Sequence, residues 1–296
     1  MVINLYYYFQ LKSPHLGAEG CDMTYGMNLL LWGTEINEDL FPVLEQIKAM
    51  GFDGVEVPIF DVNPENWYTW RAKLDQLGLK RIAVTICGAD FNQISPDENM
   101  RKATLERNKR AVDCALVLGA DLLTGPYHSA LSHFTGKPAT QQEWQWAVEN
   151  LQELAQYADD LGITLGLEYL NRFESYLVSS ADELLKLVED VNHPACKIMF
   201  DTFHANIEEK SLGDAIRKLS KHLVHVQVSE NDRSTVGKGN VDWEDVFKAL
   251  KDINYGGWLS IEAFSEKLPA ANIWRKMFDS EEQLMRESLS FLKTHV

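Results

Sequence analysis

Short apolar runs alternate with helically spaced stretches along the whole chain, and this alternation constrains the fold more than any other feature. The runs fall at 25–32, 52–58, 80–87, 121–124, 163–168, 196–201, 223–228 and 257–262. Helical spacing covers 38–50, 63–77, 95–118, 140–161, 179–191, 212–219, 243–253 and 272–293, and several of these stretches stop at a glycine, as at Gly51, Gly78 and Gly119. Apolar runs without in/out alternation are strands buried on both faces, as in parallel sheets. Strands that alternate with helices build a parallel sheet covered by those helices. About eight such units predict an α/β fold, a single (β/α)8 barrel of the TIM type. An open doubly wound sheet is the runner-up, but no Gly-rich phosphate loop follows the first strand. Ser180, with Glu183 three residues on, is a plausible helix cap.

The chain has 296 residues and a net charge of −16. Such a surface argues against a nucleic-acid partner and against an anionic membrane, and no apolar run is long enough to span a bilayer. Cys21, Cys87, Cys114 and Cys196 are scattered without a CxxC pair, which fits reduced thiols in a cytoplasm. The first ten residues lack a signal-peptide pattern. Residues 1–22 break the regular pattern and are read as an N-terminal extension of unclear role; 23–296 form the barrel. No low-complexity linker marks a second domain.

In such a barrel the chemistry gathers at the C-terminal ends of the strands. The residues there are Trp32, Glu56, Cys87, Gly125, Glu168, Asp201, Gln227 and Glu262. The last four close successive strands and converge on one cavity. Three carboxylates crowd together ionised only if a cation relieves their repulsion. An all-oxygen set of Glu168, Asp201, Gln227 and Glu262 favours a hard divalent metal, Mn²⁺ or Mg²⁺, over zinc. The plainer alternative is four strand-end groups solvated separately. Just beyond lie Glu174, His204 and Arg233, which together could hold the hydroxyls and carbonyl of a polyol. His225 is assigned to the face of its strand opposite Gln227 and read as a core histidine. Tyr127, His128, His133 and Phe134 follow the fourth strand, either shaping the cavity or packing the loop. Trp144, Val148, Leu151 and Leu154 form a core or subunit-contact face.

The strings LEYLNRFES, MFDTFHANIEE, HVQVSENDR with GKG after it, and WLSIEAF resemble the ketose 3-epimerases, the D-tagatose and D-psicose (allulose) 3-epimerase family of xylose isomerase-like barrels. The resemblance covers most of the chain and is densest from Glu168 to Glu262. It implies metal ligands at Glu168, Asp201, Gln227 and Glu262, with Co²⁺ a further candidate ion. It implies Glu168 and Glu262 as the two acid/bases that invert C3 of a ketose through an enediolate. It implies Glu174, His204 and Arg233 as substrate-holding residues, Trp32 as an aromatic wall of the sugar site, and a homo-dimer or tetramer. One position departs: the epimerases usually carry His where this chain has Gln227, whereas the related hydroxypyruvate isomerases carry Gln. An aldose–ketose or hydroxypyruvate-type isomerase and an enzyme of 3-keto sugars therefore stay open. A non-catalytic sugar-binding barrel has no use for two opposed acids, and endonuclease-like chemistry conflicts with the charge.

Overall fold

A computed structural model describes residues 23–296. The extension read at 1–22 lies outside the described residues. Eight parallel strands close in sequence order: β1 (Thr24–Asn28), β2 (Gly54–Pro58), β3 (Lys80–Val84), β4 (Leu122–Gly125), β5 (Thr164–Leu167), β6 (Cys196–Asp201), β7 (Leu223–Val228) and β8 (Trp258–Ile261). β8 pairs back onto β1, with Tyr25 beside Leu259. The (β/α)8 barrel expected from the alternation is the observed fold.

Around it lie α1 (Phe41–Ala49), α2 (Tyr68–Leu77), α3 (Glu98–Leu118), α4 (Gln141–Asp160), α5 (Ala181–Val191), α6 (Thr202–Glu208), α7 (Leu212–Leu219), α8 (Trp243–Asp252) and α9 (Glu281–His295). Side chains that satisfy the first free N–H groups fix their starts. Thr140 and Glu143 form a reciprocal capping box at α4. Ser180 caps α5 by accepting from the Glu183 amide, while the Glu183 carboxylate accepts from Ser179 rather than from Ser180. Val148, Leu151 and Leu154 of α4 are buried, and the Trp144 indole donates to Asp190 on α5 at 2.8 Å, so this face is a core contact.

Several boundaries differ from expectation. The third strand ends at Val84, so Cys87 lies beyond it. The first strand ends at Asn28, and Leu29–Trp32 form a 3₁₀ turn capped by the Asn28 side chain, so Trp32 stands beyond the strand. The stretch after Asp201 holds the short helix α6, because Asp201 itself caps it. The closing helix starts at Glu281, with Ser280 as cap, nine residues past the expected start. At the opposite end of the barrel, Gly26 makes room for the Trp258 ring, which a Cβ there would approach to 2.8 Å.

Candidate metal and sugar site

The C-terminal ends of β5 to β8 bring the four expected ligands together. Glu168 and Glu262 are the first residues beyond β5 and β8. Their amides still bond to the neighbouring strands, at Gly125 O and Val228 O, 3.2 Å each, so each carboxylate keeps a strand's orientation. Asp201 closes β6 in register with Gln227 on β7. All four side chains are buried. Asp201 does two jobs: Oδ1 accepts the Phe203 amide at 2.8 Å and caps α6, which leaves Oδ2 for the cavity.

Arg233 is the charge at the centre. Its Nη1 lies 2.8 Å from Asp201 Oδ2, 2.7 Å from Glu262 Oε2 and 2.9 Å from Ser229 Oγ. The guanidinium is sandwiched between the rings of Phe203 at 3.7 Å and Phe264 at 4.5 Å, which hold it flat. Its backbone takes φ of +60°, unusual for a residue with a side chain. That conformation is held by its own carbonyl on the Phe264 amide and its own amide on the Glu230 carbonyl, both 2.9 Å. The Glu230 carboxylate organises the rest of this loop, accepting from Gly237 and Val241 amides and the Trp243 indole within 3.0 Å.

His204 sits on α6, one turn past Asp201. Its Nδ1 accepts the Asn171 amide at 3.0 Å, and its Nε2 lies 3.1 Å from Arg233 Nη2, a group that only donates. Nε2 lies 3.5 Å from Glu168 and 3.6 Å from Asp201. Burial, helped by Arg233, pushes the imidazole well below its ordinary pKa, so it is neutral. Asn171 also donates to Glu174 at 2.9 Å, linking the expected sugar-holding residues. Trp32, half-buried on its 3₁₀ turn, packs against the core beyond β1.

Burial raises the Glu168 carboxyl well above the usual range, and Asp201 and Glu262 push it further. Glu262 is also raised well above the usual range by burial, with Arg233 opposing. Asp201 is raised by burial against the pull of Arg233 and the Phe203 amide. Three buried carboxylates against one guanidinium leave an excess of negative charge, which a cation would relieve. Oxygen donors of Glu168 and Asp201 and an imidazole nitrogen of His204 lie within 4.8 Å of one another. The Gln227 Oε1 is buried with no hydrogen-bond partner, although its Nε2 is fully engaged. A hard divalent ion fits this donor set.

A lower layer was not expected from the sequence. Glu56 on β2 is completely buried, and its Oε1 lies 2.6 Å from His225 Nε2. Burial works against the Glu56 charge, but His225, the Gln227 amide and the Ser260 hydroxyl hold its carboxyl below the usual range. His225 is the core histidine expected, but on the same face as Gln227, since residues two apart in a strand share a face. Both reach Glu56. Asn28 joins them, donating at 2.9 Å to Glu56 Oε2 and to Glu262 Oε1. Of the loop residues after β4, Tyr127 and His128 are fully buried packing groups. Tyr127 donates to Leu123 O at 3.0 Å, and His128 Nε2 to Glu168 O at 2.9 Å. His133 and Phe134 are exposed, the latter 6.3 Å from the Tyr176 ring.

A family profile described as the xylose isomerase-like TIM barrel matches residues 44–295. A D-psicose 3-epimerase of Enterocloster bolteae is 30% identical over 289 residues, covering 93% of this chain and 95% of its own. One from Agrobacterium fabrum is 32% identical, covering 82% of this chain and 85% of its own. A crystal structure of D-allulose 3-epimerase from Methylomonas sp. with D-allulose superposes with a TM-score of 0.87 at 27% identity, covering 93% of this chain and 98% of its own. The chain belongs to the ketose 3-epimerase family of xylose isomerase-like TIM barrels, a family of isomerases.

Proposed function

We propose that this chain inverts C3 of a free ketose of the D-tagatose, D-fructose, D-psicose or L-ribulose type. The observation that carries the reading is the pair of buried carboxylates, Glu168 past β5 and Glu262 past β8, on the two strands that flank β6 and β7. A divalent cation held by Glu168, Asp201, Gln227 and Glu262, Mn²⁺ or Mg²⁺ with Co²⁺ a further candidate, would supply Lewis-acid polarisation of the substrate carbonyl.

The C–H next to a ketone is weakly acidic. One Glu accepts the C3 proton, leaving a cis-enediolate, and the other returns a proton to the opposite face. Such a reaction needs one carboxylate and one carboxylic acid at the same time. The upward shift of both Glu168 and Glu262, through burial, supports one of them staying protonated near neutrality. His204, Arg233 and Glu174 orient the substrate and polarise its oxygens. Trp32 serves as an apolar wall.

Gln227 favours a second reading, an aldose–ketose or hydroxypyruvate-type isomerase. A ketose panel in D₂O separates them. After chelation activity is lost, and after Mn²⁺ or Mg²⁺ is restored deuterium enters at C3 alone and no aldose accumulates. Deuterium at C1 with aldose product would establish the isomerase, and full activity after chelation would end the metal reading. The net charge of −16 and the scattered cysteines support a cytoplasmic enzyme without nucleic-acid partners. Among the described residues no helix is long and apolar enough to cross a membrane. Assembly as a homo-dimer or tetramer, proposed from the family resemblance, is read by light scattering.

A further inference from the structure

We propose that Glu56 is a positioning residue: its carboxylate decides which end of the Gln227 amide is left free to serve a cation. The inference rests on the reading of Gln227 as a metal ligand.

A glutamine differs from a histidine or carboxylate ligand in one respect. Its two ends have the same shape and opposite character, an oxygen that accepts and an NH₂ that donates. Only the oxygen can serve a hard cation, so a glutamine ligand needs something that chooses its orientation. In this barrel Gln227 Nε2 lies 3.0 Å from Glu56 Oε2 and 3.2 Å from Glu262 Oε1. Both partners are acceptors, and Oε1 is left buried without a partner. Turned about, the amide would set its oxygen against two carboxylate oxygens with no proton between them. Its NH₂ would then meet the cation.

Asn28 repeats the arrangement from the other side. Its Nδ2 lies 2.9 Å from each of the same two carboxylate oxygens. Its own orientation is fixed by the backbone, since Oδ1 accepts the Leu30 amide at 2.9 Å. Asn28, Glu56, Gln227 and Glu262 thus close a ring of four side chains, drawn from β1, β2, β7 and the residue after β8. His225 Nε2, 2.6 Å from the other oxygen of Glu56, anchors the ring to the barrel floor. Glu56 itself has no exposed surface. It acts on Gln227 and Glu262 and not on the sugar.

The test is Mn²⁺ affinity of the full chain, stripped of metal and titrated, with free Mn²⁺ read from its EPR signal. Glu56→Met is expected to weaken Mn²⁺ binding about tenfold, the lower range for loss of a group that orients a ligand. The same substitution in a Gln227→Glu protein is expected not to weaken it, because a carboxylate has two equivalent oxygens and Glu56 beside it is a like charge. That change of sign separates an orienting role from a structural one. Unaltered Mn²⁺ affinity in Glu56→Met, or equal weakening in both backgrounds, would overturn the proposal. If Glu56→Met does not fold, Glu56→Gln replaces it, since its amide can present NH₂ to Gln227 and undo the choice. Weakening beside Gln227 and recovery in Glu56→Gln/Gln227→Glu is then expected, and loss in both overturns the proposal. A parent protein that binds no Mn²⁺ defeats the metal reading and this inference with it. A parent that binds while Glu56→Met binds equally defeats only the inference.

Discussion

The two halves of the barrel rim differ in what they present. From β5 to β8 the rim offers Glu168, Asp201, Gln227 and Glu262, with Arg233 between them. From β1 to β4 the strands end at Asn28, Pro58, Val84 and Gly125; of these only Asn28 has a side chain that can hydrogen-bond, and it meets that set through Glu262, while Gly125 meets Glu168 through its backbone carbonyl. The difference is a division of labour. Groups that can exchange protons or hold charge come from one half. The other supplies fixed donors and acceptors underneath, Asn28 and Glu56, and packing behind, such as His128 on the Glu168 carbonyl. Substitutions should therefore sort by half: lost turnover in a folded protein on one side, altered affinity or stability on the other.

The largest effects are expected at the two acid/bases. Glu168→Gln and Glu262→Gln each keep the shape and remove the proton-carrying group, so kcat for C3 inversion should fall by about a thousandfold, as for loss of a general acid or base. The melting temperature should hold, because removing a buried charge in a repelling cluster relieves strain on the fold. Substantial turnover in either variant would break the proposed pairing. Arg233→Lys comes next. A lysine cannot bridge Asp201, Glu262 and Ser229 while stacking between Phe203 and Phe264. A loss of about a hundredfold in kcat/KM is expected, the scale for one preorganised donor. A KM change alone, with kcat intact, would move Arg233 from polarising the substrate to merely binding it.

Glu230 tests the same half at a lower level. Its buried carboxylate receives amides from Gly237 and Val241 and the Trp243 indole. Glu230→Gln turns one acceptor into a donor that faces these N–H groups. A destabilisation of about 2 kcal/mol is expected, read from the denaturation midpoint. An unchanged midpoint would show that the loop bearing Arg233 is held by its backbone alone.

What the sequence revealed follows from how local each signal is. Four apolar strands running into Glu168, Asp201, Gln227 and Glu262 carry their message within six residues each, so both barrel and cluster were legible. Asn28 was hidden because apolar residues flank it on both sides, so the strand was extended to Trp32; its capping of a 3₁₀ turn ends the strand instead. Glu56 was visible as a strand-end carboxylate, but its role depends on Gln227, 171 residues away. The face assigned to His225 contradicted the period of two that a strand imposes. Arg233 was found by position, whereas its left-handed backbone and its two flanking rings emerge only from the packed loop.

The smallest expected effect belongs to the quiet half. His128 is fully buried, with Nε2 on the Glu168 carbonyl at 2.9 Å and Nδ1 facing Ser129 Oγ at 3.0 Å. Burial lowers its pKa from 6.5 to about 4, against the pull of that carbonyl bond. In the window between these values the unfolded chain binds the extra proton, so this group's contribution to stability is present above 6.5 and is lost as pH falls towards 4. One pKa unit corresponds to about 1.4 kcal/mol, so the loss between pH 7 and 5.5 is about 1 kcal/mol. His128→Asn removes the titration, and its stability should fall less steeply over that interval. His204 slopes the same way and the raised Glu168 and Glu262 slope oppositely. All three are present in both proteins, so the difference between the two curves isolates His128. Parallel curves would mean that the ring protonates inside the folded barrel at an ordinary pH. The support behind Glu168 would then be softer than its burial implies, and the contrast between the halves correspondingly weaker.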